Sequence, residues 1–232
     1  MSDNDLVKSP NLLRAPKKIS LVDLAYDAIV EAIIDRKFQP GSQLSIDWLA
    51  GELQMSNTPI REALARVAAL RLVIQNNNRG FTVSPLLSET EFHHLFEVRH
   101  LLEIHALSTC DLKNNQAVIV ELEKLVAKMP YVEEGPLYRD FRDFIRIDHL
   151  FHHLLISMSE NTFLQKSWDD LHFHLHVGRL YAGAGIIDFN FGVREHQEIL
   201  NMLRTGDRGS LIATASQHIR QAEQRLQSLI HR

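Results

Sequence analysis

Asp148 and His152 stand four residues apart in a stretch of helical period, so both side chains leave one face of one helix, a turn apart. Such a pair can offer an oxygen and a nitrogen to a single ion. His196 and His218 lie at equal distance on either side of Asp207, the midpoint between them in a Thr205-Gly206-Asp207 turn signal. If that turn joins two antiparallel helices, equal spacing sets the two imidazoles side by side across the hairpin. Three nitrogens and one carboxylate would then converge. That donor set suits zinc first, and also nickel, manganese or iron, with positions left open for water or a bound acid. The alternative is that each His is a satisfied core or surface residue. Against it, the segment of Leu150, Phe151, Leu154 and Leu155 gives little reason to bury an Asp and a His unless something pairs them. His149 with His153, and His172 with His176, are competing i, i+4 pairs. Neither has a symmetric partner elsewhere, so both read as polar-face or pocket-rim residues.

The chain around these residues has an ordinary globular make-up of 232 residues, 45% hydrophobic and 23% charged, enough for one large or two modest domains. Its formal charge of -4 is unevenly spread. Residues 1 to 85 carry ten basic and nine acidic residues, the remainder fifteen and twenty. A weakly positive first part predicts modest non-specific affinity for nucleic acid. Of the 13 His, twelve fall between His93 and His218. No run approaches the roughly eighteen apolar residues of a membrane span, and Met1-Ser2-Asp3-Asn4-Asp5 is too polar and acidic for a signal peptide. The expected location is cytoplasmic, without a membrane partner. The lone Cys110 reads as a small core residue.

Residues 1–17 show no sustained period and read as a flexible arm, whose Arg14, with Lys17 and Lys18 beside it, could touch phosphate. Leu24, Ala25, Ala28, Ile29, Ala32 and Ile33 keep a helical period that stops before Phe38-Gln39-Pro40-Gly41. Ser45 can cap a short second helix, and Ser56, Asn57 and Thr58 can cap a third that begins near Thr58 and carries Pro59 in its first turn. Ile60, Ala63, Leu64 and Val67 make its buried face; Arg61, Glu62 and Arg66 stay on or beside the open one. Val73-Ile74-Gln75 and Phe81-Thr82-Val83 flank an Asn/Gly-rich turn, which reads as a hairpin. Three helices and a hairpin make a winged helix-turn-helix over residues 18–85, with the third helix entering the major groove. After a linker at 86–92, residues 93–232 show helical periods and no convincing strand. Helices are expected over about Glu89–Lys113, Gln116–Lys128, Leu137–Met158, Asn161–Gly183, Asp188–Thr205 and Arg208–His231, in an all-α antiparallel bundle of six or seven. The fold class is therefore mainly α.

Pro40-Gly41, Leu49-Ala50, Thr58-Pro59-Ile60-Arg61-Glu62-Ala63-Leu64 and Asn78-Arg79-Gly80-Phe81-Thr82-Val83 resemble the winged-helix signature of GntR-type bacterial transcriptional regulators. Two positions depart from it. Asn57 stands where the family has an Arg that grips DNA, and Arg71 where it has Gly. Further on, Glu97-Val98-Arg99 with Leu102-Glu103, Asp148 through Phe151-His152, Ser159-Glu160-Asn161, His196, Gly206-Asp207 and His218 resemble the FadR-type FCD effector domain. The resemblance implies Asp148, His152, His196 and His218 as metal ligands, and Arg99 and Asn161 as effector-pocket residues, where a guanidinium can grip a carboxylate. For these two the residues alone also allow a salt bridge within the bundle and a helix N-cap.

The expected function is a ligand-responsive transcriptional regulator that binds operator DNA as a homodimer. Ser56, Thr58, Arg61 and Arg66 would act at the reading helix and Arg79 with Gly80 at the wing, under control of a small organic or sugar acid at the metal site. A metal-dependent hydrolase or lyase is the rival reading, since such a site can activate water. A helical interaction protein with a structural metal is a third, which leaves the wing unexplained.

Overall fold

The computed structural model describes residues 20–76, 80–129, 137–180 and 189–230, without the side chains of 139–141, 172–180, 189 and 228–230. The N-terminal arm with Arg14, the wing tip with Arg79, the imidazoles of His172 and His176, and the Gly183-Ala184-Gly185 break lie outside the described residues.

α1 (Leu21–Ile34) starts where the Ser20 hydroxyl accepts the Asp23 N–H, and it buries Ala25, Ile29, Val30 and Ile33. Gly41, at φ 78°, closes the turn that follows. β1 (Gln43–Leu44) leads into α2 (Ile46–Glu52), whose N-cap is Ser45. α3 (Asn57–Ala69) buries Pro59, Ile60, Ala63, Leu64 and Val67 against α1 and α2. Asn57 is bound within the turn between the two short helices: its Nδ2 donates to Asp47 Oδ1 at 2.8 Å. The position that resembles a DNA-gripping Arg thus carries an internal brace. β2 (Val73–Asn76) and β3 (Gly80–Val83) form the expected hairpin. The sheet has a third strand that local pattern does not reveal, because β1 pairs with β3 in the order β1-β3-β2, with Leu44 opposite Phe81. Two residues are too short to show a period of two.

The second half contains α4 (Glu89–Thr109), α5 (Gln116–Val126), α6 (Tyr138–Ser157), α7 (Thr162–Leu180), α8 (Phe189–Thr205) and α9 (Arg208–Ile230), six helices among the described residues. α4 begins inside the segment expected to be a linker. Ser88 and Glu91 form a full capping box there, each satisfying the other's backbone N–H. α4 packs on α9, α7 and α6, and α8 on α9 and α5. At the other end of α4, the Arg208 guanidinium donates to the carbonyls of Leu107, Ser108 and Cys110, closing groups the helix leaves unpaired. Cys110 is buried there, as a core residue.

α6 reaches across the domain boundary. Its first N–H, at Tyr138, donates to Asp35 Oδ1 at the end of α1 at 2.7 Å, so the first domain caps a helix of the second. Ile34 and Tyr138 pack against both hydrophobic cores. No helix among the described residues is long and apolar enough to cross a membrane.

Arg71 sits at φ 58°, a left-handed conformation that costs an L side chain about 1–2 kcal/mol. Gly, which the resembling family has at this place, is expected to stabilise the fold. Arg71→Gly should raise the free energy of unfolding by about 0.5–1 kcal/mol once the added freedom of the unfolded chain is subtracted. Urea unfolding measures it, and a lower midpoint would mean that contacts of the Arg side chain outweigh the strain.

Candidate metal centre

α6, α8 and α9 each contribute one imidazole to a single buried point. Asp148 and His152 lie one turn apart on α6. α8 and α9 form a hairpin through Gly206, at φ 73°, and Asp207, whose Oδ1 accepts the N–H groups of Gly209 and Ser210 and so caps α9. Because His196 and His218 are equidistant from this turn, their rings meet, with centroids 4.9 Å apart. His152 and His196 are fully buried, and His218 is nearly so.

The three Nε2 atoms face one another. Those of His196 and His218 lie 3.2 and 3.3 Å from that of His152. Two nitrogens bound about 2.1 Å from one ion, at tetrahedral to right angles, stand about 3.0–3.4 Å apart. One ligand atom from each of the three His lies within 4.8 Å of the others. Asp148 Oδ1 is 3.5 Å from His196 Nε2 and 3.9 Å from His152 Nε2, at the edge of the same point.

The outer ring nitrogens explain this orientation. His152 Nδ1 is 3.0 Å from Glu103 Oε2 on α4, and His218 Nδ1 is 2.7 Å from Glu195 Oε2 on α8. An imidazole that donates its Nδ1–H to a carboxylate leaves an Nε2 lone pair, and both lone pairs point into the cluster. Each carboxylate is itself held. Glu103 accepts from Arg99 Nε at 2.7 Å and Trp168 Nε1 at 3.1 Å; Glu195 accepts both nitrogens of the Arg225 fork, at 2.6 and 2.8 Å. Burial alone would raise the Glu103 pKa, but the charges of Arg99 and His152 hold it below the usual carboxylate range. Glu195 is likewise lowered against its burial, by hydrogen bonds from His218 and Arg225. Burial pushes His196 well below its ordinary value, with the His218 charge adding to it. His218 is also lowered by burial, with Glu195 opposing. Nε2 lone pairs facing inward suit a cation, or on the protein side a donor. Arg99 is that donor: its Nη2 sits 3.0 Å from His152 Nε2 and 3.5 Å from His218 Nε2. A lone pair on His152 can serve either Arg99 or an ion.

The chain matches the FCD domain family over residues 94–221 and the gntR family of bacterial regulatory proteins over residues 21–83. It belongs to the GntR family, with an FCD domain. Over 233 residues it is 24% identical to the gluconate operon transcriptional repressor of Bacillus subtilis, covering 97% of this chain and 93% of that one. The solved structure of McbR/YncC from Escherichia coli superposes with a TM-score of 0.65 at 20% identity, covering 91% of this chain and 99% of that one. A GntR regulator from Rhodococcus sp. RHA1 gives a TM-score of 0.60 at 19% identity, covering 89% and 97%. The protein is therefore a transcriptional regulator with a DNA-binding helix-turn-helix and a helical second domain. The rival reading of a hydrolase or lyase is set aside, because the family and these relatives are regulators rather than enzymes.

Of the residues expected at the sites, Asp148, His152, His196, His218 and Arg99 are brought together. Asn161 is not part of that cluster: it is exposed, and its Oδ1 accepts the N–H groups of Phe163 and Leu164 as the N-cap of α7. His153 is taken by Asp169 at 2.8 Å, and His149 stacks on Trp168, so the pair they form shares no ion-binding geometry. On α3, Ser56 is the N-cap residue but makes no side-chain cap bond, and Ser56, Thr58 and Arg61 are all exposed. Arg66 points toward α1, where it pairs with Asp23 at 2.7 Å and lies over the Tyr26 ring. Gly80 opens β3 at φ 78°. Sequence reasoning did not single out Glu195, Trp168 or Arg225, and met Glu103 only as part of a resemblance. Apart from Arg99, one turn from Glu103, their partners lie 23 to 65 residues away, outside any local period.

Two outcomes follow from the carboxylates and the depressed imidazoles. Glu195→Gln should lower divalent-metal affinity about 10–100-fold with the fold intact, in competition against a chromophoric chelator; unchanged affinity would free His218 from any dependence on Glu195. In metal-free protein the unfolded chain protonates first as pH falls through the ordinary His value of 6.5, because folded His196 and His218 titrate lower. Stability present above that pH should be lost progressively below it, and the urea midpoint should fall between about pH 7.5 and 5.5, less steeply in His196→Phe.

Proposed function

We propose that this regulator, of the FadR subfamily, acts in the cytoplasm as a homodimer whose affinity for operator DNA is set by a small carboxylic acid bound at a divalent ion. The ion, zinc or another divalent first-row metal, would be held by His152, His196 and His218, with Asp148 beside them. The observation that carries the reading is the inward convergence of three Nε2 atoms, with the Nδ1 sides of His152 and His218 engaged by carboxylates and that of His196 3.3 Å from Met129 Sδ. When bound, the ion would supply a Lewis-acid site for a carboxylate oxygen.

The chain's own residues do the rest. Arg99 would keep its Nε bond to Glu103, and its Nη2, which meets His152 Nε2, would be the nitrogen available to grip the carboxylate of the acid beside the three His. The acid is recognised by a guanidinium in a buried place, which excludes neutral analogues. The relative that represses a gluconate operon supports the sugar-acid class. On the DNA side, Ser56, Thr58 and Arg61 would meet phosphates or base edges, with Arg79 and Gly80 at the wing. Arg66, tied to Asp23, would position α3 on α1 more than it contacts DNA.

An operator fragment selected from a random pool by the wild-type protein provides the test. Arg61→Ala should abolish the sequence-dependent gel shift with the circular-dichroism spectrum unchanged, and a retained shift would sink the assignment of α3. With zinc present, gluconate should change operator affinity by about 5–150-fold. Arg99→Ala should keep its metal and lose that response; a full response without Arg99 would remove it from acid recognition.

A further inference from the structure

A cavity of about 330 Å³ opens between the two domains, with none of His152, His196 and His218 in its lining. Its first wall comes from α1 and the end of α3, with Val30, Ile34 and Leu70; its second comes from α6, with Ile145. The size is that of a small-molecule site, and domain boundaries are a common place for one. It is too small to seat a helix of another protein. One rim carries Arg142 and Arg146. Arg142 has no charge partner among the described residues, and Arg146 meets only Asp143, at 4.0 Å with both largely exposed. The acid on the opposite side, Asp169, is already engaged by His153 at 2.8 Å. An apolar slot with two guanidiniums at its mouth favours one ligand chemistry, a hydrocarbon or aromatic body ending in an anion.

We propose that this cleft is a second ligand site, for an amphipathic carboxylate, distinct from the polar acid proposed at the metal centre. The ligand touches elements that reach both ends of the regulator. Tyr26 lines the cleft and carries Arg66 of α3 over its ring, at 4.7 Å from the centroid. His149 lines the other wall and stacks on Trp168, 5.5 Å between centroids, and Trp168 donates to Glu103, the partner of His152. Occupancy pins α1 to α6, the helix whose N-terminus Asp35 caps and whose next turns bear Asp148 and His152. By linkage, a ligand that favours one arrangement of α1 on α6 changes affinity at the DNA and at the imidazoles alike.

The test uses full-length protein and the aromatic anion 8-anilinonaphthalene-1-sulfonate. The chain has 2 Trp, so Trp48→Phe leaves Trp168 as the lone indole donor. Saturable energy transfer from Trp168 to one bound probe is expected, with decanoate displacing the probe and gluconate failing to. Arg142→Glu with Arg146→Glu, both at exposed positions, should weaken binding about tenfold, and Arg142→Gln alone should weaken it measurably. Prior removal of metal with a chelator should leave the transfer in place, which separates this site from the metal centre. Transfer insensitive to both Arg variants, displacement by gluconate, or loss on chelation would each overturn the proposal. So would a change of oligomeric state in the Arg variants without a change in probe affinity, which would make the cleft a contact between protein chains.

Discussion

Three imidazole lone pairs aimed at one buried point are a demand that the rest of the second domain is built to meet. His152 does not hold its Nε2 3.2 to 3.3 Å from those of His196 and His218 without a reason for the rings to point inward. Glu103 and Glu195 provide it by taking the Nδ1 protons. Burying those two carboxylates is costly unless cations share the site, and Arg99 and Arg225 do so. α4, α6, α8 and α9 are thereby joined by charge-assisted bonds in a core that apolar packing would fill less specifically. The same arrangement sets Arg99 Nη2 against the inward-facing nitrogens, 3.0 Å from His152 Nε2 and 3.5 Å from His218 Nε2.

α6 joins that local chemistry to the first domain. Its N-terminus is capped from the first domain by Asp35, and its middle carries Asp148 and His152. Ile34 and Tyr138 sit in both cores, so the boundary between domains is packed as well as hydrogen-bonded. α6 thus bears on α1, and α1 is the surface on which α3 rests. The Arg66–Asp23 pair and the Tyr26 ring complete that connection on the DNA-binding side.

Much of this was legible in the residues. The i, i+4 spacing of Asp148 and His152, and the equal spacing of His196 and His218 about Asp207, are local facts whose consequence follows from helix geometry alone. The helix bounds agree within a few residues because caps such as Ser20, Ser45 and Ser88 and breakers such as Gly206 are themselves local. Asn161 is a further local case: the residues alone allow a helix N-cap there, and its Oδ1 accepts the Phe163 and Leu164 N–H groups.

The sequence by itself determined which residues could chelate and which helices would carry them, since periodicity and capping act over one or two turns. Tertiary structure decided which carboxylates orient the imidazoles, that β1 joins the wing sheet, that Arg66 braces α1, and that α6 is capped across the domain boundary. Those choices depend on pairing between residues 23 to 103 positions apart, for which no local period exists. Only the closing of the bundle brings them within hydrogen-bonding distance.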